Sequence, residues 1–263
     1  MGPKHVAVYW DFENVHASLY EEKNGEASYR KGRYAKQEEL VEIEAVMRFI
    51  LPLGPLAVNR AYANWTWLSS YQNAFNRHSF DLIQLFARGT HAKNGADIRM
   101  ALDVIEDAAL FPHIGRVVIV GGDSDYIAVG QKLRQKGIEV IGVGPRKSTN
   151  RFWIDSCNDF KYYDVLTSGD KTQAGDVGAA KQLMLEALDR VASMRGEPFA
   201  RMSSLKFAMK QLDPAFDEAE FGFRNFTDFI GGCTDVVRLE QGPHERHVHR
   251  VAEVVIPSPP PAD

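Results

Sequence analysis

Four aspartates stand where a fold would have reason to bring them together. Asp11 follows the apolar run HVAVYW in YWDFENV, and Asp123 and Asp125 follow RVVIV in VVIVGGDSDY. Asp97 lies in KNGADIRMALDV. Asn14, three residues after Asp11, is a short polar side chain suited to positioning a carboxylate or a water; Glu13 points the other way if the strand continues. Close carboxylates repel unless a proton or a cation intervenes, and several oxygens in one polar crevice suit Mg²⁺ or Mn²⁺. A metal held there lowers the pKa of a bound water and steadies a leaving oxygen, which is the chemistry of phosphoryl transfer. Asp11, Asp97 and Asp123 are the expected metal ligands, with Asp125 and Asn14 completing the catalytic set. Gly121 and Gly122 would let backbone N–H groups approach a phosphate, with Ser124 as a donor. Lys93, Lys132, Arg146, Lys147 and Arg151 supply cations for a phosphate backbone to follow.

Each feature also has a plainer use. Asp11 or Asp123 alone serves equally as a helix N-cap. Asp103 lies about 240° round a helix from Asp97; it and Asp107 fit a solvated helix face. The basic stretch from Lys132 to Arg151 fits a solvated helix and loop. Tyr62, Trp65, Trp67, Tyr71 and Phe75 are rings of the kind on which single-strand bases stack, but core packing accounts for them better. His244, His247 and His249 give a weak metal spacing and fit an exposed hairpin loop, and Cys157 and Cys233 fit packing. The joint placement of Asp11, Asp97 and Asp123 is what favours the chemistry.

The elements that must position these residues are legible. Strand patterns fall at His5–Trp10, Leu56–Ala63, Phe80–Phe86, Arg116–Val120, Ile138–Val143 and Phe160–Leu166. Several are near-continuously apolar, as strands covered on both faces are. Helical patterns alternate with them at Glu38–Leu51, Trp67–His78, Ala96–Leu110 and Tyr126–Lys136, the last stopped by Gly137. The alternation predicts an α/β fold, a parallel sheet with helices on both faces. In such a sheet the first and fourth strands meet at the switch point, where ligands bind. The polar stretch Glu21–Lys36 reads as a long loop or flap. TSGDKTQAGDVG, 167–178, reads as a linker. Beyond it come a helix at Ala179–Met194, a second capped by Ser203 or Ser204 and running to Leu212, and a third at Phe216–Ile230, preceded by turn residues around Gly222. Hairpin strands follow at Val236–Glu240 and His247–Val255. Three helices and a hairpin make a small winged-helix domain. The proline-rich 257–263 reads as a disordered tail.

Composition bounds the function. A chain of 263 residues forms one large domain or two smaller ones. Apolar residues at 44% and charged residues at 25% exclude a mainly disordered or fibrous chain. No apolar run approaches the roughly 18 residues of a membrane span, and the N-terminus turns acidic too early for a secretory signal. Two cysteines make neither a disulfide framework nor a zinc pattern. A soluble protein of the cytoplasm is expected. Up to residue 170 there are 20 basic and 21 acidic side chains, and beyond it 11 and 14. A nucleic acid would therefore meet local patches, not a global positive field.

VYWDFENV at 8–15, KNGADIRMALDV at 93–104, VVIVGGDSDY at 117–126 and KGIEVIGVG at 136–144 together resemble the NYN family of PIN-like nucleases, over about residues 5–166. The resemblance implies a PIN-like (Rossmann-like) sheet, an acidic pocket for Mg²⁺ or Mn²⁺ and ribonuclease activity. By position it implies Asp11 with Asn14 beside it, Asp97, Asp123 and Asp125. Residues 176–256, with MSSLKFAMKQLDPAFDEAEFGFRNFTDFI, look like a LOTUS (OST-HTH) domain, which implies a module that binds RNA or a protein partner. There Asp213, Asp217, Glu218 and Glu220 would push any RNA face toward Arg201, Lys206, Lys210 and Arg224. The expected organisation is a nuclease domain at 1–166, a linker at 167–178 and a winged helix at 179–256. A metal-dependent endoribonuclease is expected, with a non-catalytic RNA-binding adaptor as the alternative. A phosphatase of the haloacid-dehalogenase type would want an aspartate at position 13, where Glu13 stands.

Overall fold

Strands that are apolar on both faces must be sandwiched, and the chain does this with helices laid on each side of one sheet. The computed structural model describes residues 4–86, 95–167, 176–242 and 245–251, and the side chains of 95–97 lie outside that description. Lys93, His244, the 257–263 tail and most of the expected linker also fall outside it. The chain divides into two compact units, Met1–Lys171 and Thr172–Asp263.

In the first unit the order is β1 (His5–Asp11), α1 (Phe12–Asn24), α2 (Ser28–Gly32), α3 (Ile43–Ile50), β2 (Leu56–Ala63), α4 (Gln72–Arg77), β3 (Asp81–Gln84), α5 (Gly95–Leu110), β4 (Ile114–Val120), α6 (Tyr126–Gln135), β5 (Glu139–Gly144), α7 (Arg151–Ser156), β6 (Asp159–Tyr162) and α8 (Tyr163–Thr167). The sheet runs β3-β2-β1-β4-β5-β6, and every pairing is parallel. Chain order thus reverses between β1 and β4, which makes their carboxyl ends the switch point. Alternation along β1 sends Val6, Val8 and Trp10 into a core with Ile43, Val46, Met47 and Ile50 of α3. Ala7, Tyr9 and Asp11 face the opposite side, where α5 and α6 pack. Gly137, at φ +74°, ends α6 in a backbone conformation that a side chain would strain.

β1 ends at Asp11, one residue past the expected Trp10, and the chain turns directly into α1. Two expectations change here. The polar stretch 21–36, expected as a loop, keeps turns at 25–27 and 33–36 but also contains the end of α1 and the short α2. They are held by aromatic packing that a polar sequence conceals: the His16 ring lies among Phe12, Tyr20, Tyr29 and Tyr71. At the sheet edge, β6 ends at Tyr162 and residues expected to extend it form α8. There the Tyr163 hydroxyl accepts from the Glu42 backbone N–H at 2.7 Å, an anchor that draws the chain off the sheet.

The second unit comprises α9 (Val177–Arg195), β7 (Phe199–Arg201), α10 (Met202–Leu212), α11 (Phe226–Gly231), β8 (Val237–Gln241) and β9 (Arg246–Arg250). Its antiparallel sheet runs β7-β9-β8 against three helices. This is a winged-helix arrangement around Met184, Leu188, Leu205, Met209, Phe229 and Val248. Neither serine caps α10: Ser203 donates to Glu245 at 2.8 Å, and Ser204 accepts from Arg195. The expected long third helix is instead a 3-10 turn at Glu218–Phe221 followed by α11. The break at Gly222 (φ +84°) and the Asn225 cap, which accepts from Asp228 N–H, set the second start. His247 and His249 belong to β9, where the His247 ring stacks on Phe199 at 4.1 Å; they are not in a loop.

His16 makes stability depend on pH. Burial holds its pKa below the ordinary histidine value, while Nε2 faces the Glu38 carbonyl at 3.0 Å. The unfolded chain therefore binds a proton that the folded chain resists. Stability is full above about pH 6.5 and falls as the pH drops below it. Urea unfolding across this range is expected to show that slope, and His16→Gln to flatten it.

Candidate active site at the carboxyl edge of the sheet

Asp11 is the last residue of β1, and it is buried. On the neighbouring strand Val120 pairs with Trp10, so the chain leaving β4 at Gly121 passes directly beside Asp11. A Cβ on Gly121 would lie 3.3 Å from the Asp11 Cβ and 2.9 Å from the Tyr126 ring. Only glycine lets these ends close. Tyr126, the first residue of α6, turns back and donates its hydroxyl to Asp11 Oδ2. Behind the loop, Trp153 Nε1 donates to the Gly121 carbonyl at 3.1 Å, and the Asn150 N–H donates to the Gly122 carbonyl at 2.9 Å. The Gly121 N–H donates to the Val143 carbonyl at 2.8 Å, so it is spent inside the fold and does not face a phosphate.

The capping explanation fails for Asp11. It occupies the position before α1, yet its side chain makes no cap hydrogen bond. Asp125 stands in the same relation to α6, also without a cap bond, and is exposed. Asp123 is half-buried; its Oδ1 accepts from the Asp125 N–H at 3.1 Å and from the Ser124 hydroxyl at 3.2 Å, a local turn that shapes the loop. Asn14 is half-buried in the first turn of α1. Position 97 lies near the start of α5, whose buried Asp103, Asp107, Met100 and Val104 define its sheet-facing side. Among the described residues no three His, Cys, Asp or Glu side chains form a metal-ligand group. The donors that are described, carboxylate oxygens at a strand end and on the adjoining loop, are of the hard type that Mg²⁺ and Mn²⁺ take.

The expected RNA-contacting cations are spread out. Arg146 and Lys147 follow β5 at the same edge; Arg146 pairs with Asp164 at 3.1 Å and lies over the Tyr162 ring at 3.8 Å. Lys147 pairs with Glu22 of α1 at 2.8 Å, and Arg151 with Asp155 at 3.0 Å. Lys132 is in the last turn of α6, which returns toward the opposite edge. In the second unit Lys206 pairs with Glu218 at 2.6 Å, and Arg201 lies 4.0 Å from Glu245.

Asp103 and Asp107 are not on a solvated face. They are 7% and 3% exposed and form a charged ladder between α5 and the sheet. Asp107 accepts from the Tyr9 hydroxyl at 2.8 Å and pairs with Arg60 at 2.7 Å. Asp103 accepts from the Tyr62 hydroxyl at 2.8 Å and from Arg99 Nε at 2.9 Å. Burial and the adjoining carboxylates push both phenols well above the ordinary tyrosine pKa, so they remain donors. Tyr62 pairs in register with Asp11, so the ladder lies directly beneath the site. Sequence reading missed Tyr126, Arg60 and both ladder tyrosines; a tyrosine placed immediately after GDSD is the one signal it had. Four of the five rings are core: Tyr62, Trp65, Tyr71 and Phe75 are buried and Trp67 is half-buried; the free Cys157 and Cys233 are buried too.

Comparison with known proteins gives two family matches. The NYN domain model matches residues 5–164 and the OST-HTH/LOTUS domain model matches residues 184–249. Among solved structures, a protein of unknown function from Vibrio parahaemolyticus is 20% identical, with 60% of this chain and 92% of that one covered and a TM-score of 0.48. No curated protein matches the chain. Among the described residues no helix is long and apolar enough to cross a membrane.

The ladder predicts a large, specific loss. Arg60→Ala leaves buried Asp107 without a cation, while Asp103 keeps Arg99, and is expected to destabilise the chain by about 3 kcal/mol. Chemical denaturation measures it.

Proposed function

The chain belongs to the NYN family, and from that premise we propose a divalent-metal-dependent endoribonuclease whose acidic site is the carboxyl edge of β1 and β4. The observation that carries this reading is the contact of Asp11 with the GDSDY loop: glycine-limited approach at Gly121 and the Tyr126 hydroxyl on Asp11 Oδ2. Asp11, Asp97 and Asp123 would hold Mg²⁺ or Mn²⁺, with Asp125 completing the pocket. When bound, the ion supplies a lowered pKa for water and neutralises charge on the phosphate. The chain does the rest. Tyr126 fixes the Asp11 carboxylate, and the Asp123 turn fixes the loop. Asn14 orients a water or a ligand oxygen, while Ser124, exposed on the loop, would release Asp123 to donate its single hydroxyl proton to a phosphate. The amino ends of α5 and α6 open on this edge and favour anions there. Lys93, Arg146, Lys147 and Arg151 would contact the RNA backbone, and Lys132 would extend that contact beyond the edge. The OST-HTH/LOTUS unit recruits RNA or a protein partner, and the cytoplasm is the proposed compartment.

Labelled single-stranded RNA, incubated with Mn²⁺, Mg²⁺ or EDTA, tests the reading. Asparagine at position 123 keeps the acceptor that makes the local turn but loses the charge. Asp123→Asn is therefore expected to retain the wild-type unfolding midpoint while cleavage falls on the order of a hundredfold or more. Equal cleavage by both proteins would refute the site. RNA binding without cleavage in either metal would favour the adaptor.

A further inference from the structure

We infer that the segment Tyr29–Lys36, together with Trp67, is a contact surface for single-stranded RNA; this rests on the proposed RNA substrate and adds a surface to it. Residues 30–36 contain four cations, Arg30, Lys31, Arg33 and Lys36, and no acidic residue. Arg30, Lys31 and Lys36 are exposed, and none of the four has a carboxylate within salt-bridge distance among the described residues. Glu38, the nearest acidic residue in the chain, is engaged by Lys23 at 2.7 Å. Arg146, Lys147 and Arg151, by contrast, are each already paired. Unpaired cations release counterions when they meet phosphate without first giving up a carboxylate.

Aromatic rings accompany the charge. Tyr34 is 58% exposed, lies edge-on to half-buried Trp67 at 6.4 Å and carries the Arg33 guanidinium 4.8 Å above its ring. Exposed rings interleaved with cations are what unpaired bases stack on. The segment is also held in place. Buried Gln37 donates to the carbonyls of Gly32 at 3.0 Å and Ala35 at 2.6 Å, and its N–H donates to the Trp67 carbonyl at 2.9 Å. Tyr29 is buried beneath it. Its position suits a strand on its way to the carboxylates. Trp67 lies just past the carboxyl end of β2, the neighbour of β1, and the turn between them is tied at Asn64 N–H to Glu13, two residues from Asp11.

The test uses the full chain in EDTA, so that binding is read without cleavage, with a fluorescent oligouridylate as probe. Replacing three exposed, unpaired cations (Arg30→Gln, Lys31→Gln, Lys36→Gln) is expected to weaken binding at low salt and to lower the slope of log affinity against log salt by about 2. Tyr34→Ala is expected to cost on the order of tenfold in affinity. Of the four tryptophans, Trp10, Trp65 and Trp153 are buried, so quenching by the probe should come from Trp67 and vanish in Trp67→Phe. An unchanged salt slope with no Trp67 quenching overturns the inference while metal-dependent cleavage of RNA still stands. A wild-type chain that binds no oligouridylate at low salt overturns this surface and the RNA substrate together.

Discussion

The absence of a side chain at Gly121 is the constraint on which the carboxyl edge depends. β1 and β4 are sheet neighbours only because the chain order reverses there, but neighbouring strands alone do not make a site. The ends must close until the loop after β4 touches the side chain that ends β1. At Gly121 a methyl group would meet both Asp11 and Tyr126. Gly122 and Gly144 repeat the condition one layer back, where added atoms would strike Thr149. The stretch 145–153 can therefore fold over the loop and hold it through Asn150 and Trp153. Small residues here buy nothing by flexibility; they set how near the functional groups come.

Beneath that edge the fold keeps a layer of charge where an ordinary α/β core would be apolar. Arg60 joins two aspartates of α5 to two tyrosines of the sheet. Buried ion pairs add little net stability when compared with well-packed apolar groups, so the ladder is better understood through its geometry. Each partner is directional, and each is satisfied in only one alignment of helix and strand.

Much of this was legible in the sequence. The strands expected at His5–Trp10, Leu56–Ala63 and Arg116–Val120 announce themselves because most of their positions are apolar, without a break over 6–10 and 117–120, although Asn59 and Arg60 interrupt the second. The GDSDY loop is legible because two glycines and two acids after such a strand leave few structural alternatives. α1 was passed over although Phe12, Val15, His16 and Leu19 keep a helical spacing, because charged and polar residues dominate from Glu21 onward and make the stretch read as a loop. Asp103 and Asp107 were misread because a charged side chain on a helix is normally solvated; only the distant Arg60, Tyr9 and Tyr62 make their burial tolerable. α8 follows from a tertiary anchor, the Tyr163 hydroxyl, that no local pattern carries, whereas the start of α11 is set locally, by the Gly222 turn and the Asn225 cap.

The ladder has a consequence for how length changes would be tolerated. Four residues along α5, from Asp103 to Asp107, advance about 6 Å, and two residues along a strand advance about 6.6 Å. The two rungs therefore mesh like the teeth of a rack, and α5 has one permitted phase along the sheet. A single residue inserted between 97 and 103 would leave both rungs engaged but turn everything before them by about 100°. The chain would stay folded while the start of α5 swung away from Asp11. An insertion in the turn after Leu110 would be absorbed there. In evolutionary terms, the stretch from 97 to 107 behaves as a ruler of fixed length, and length variation is tolerable only outside it.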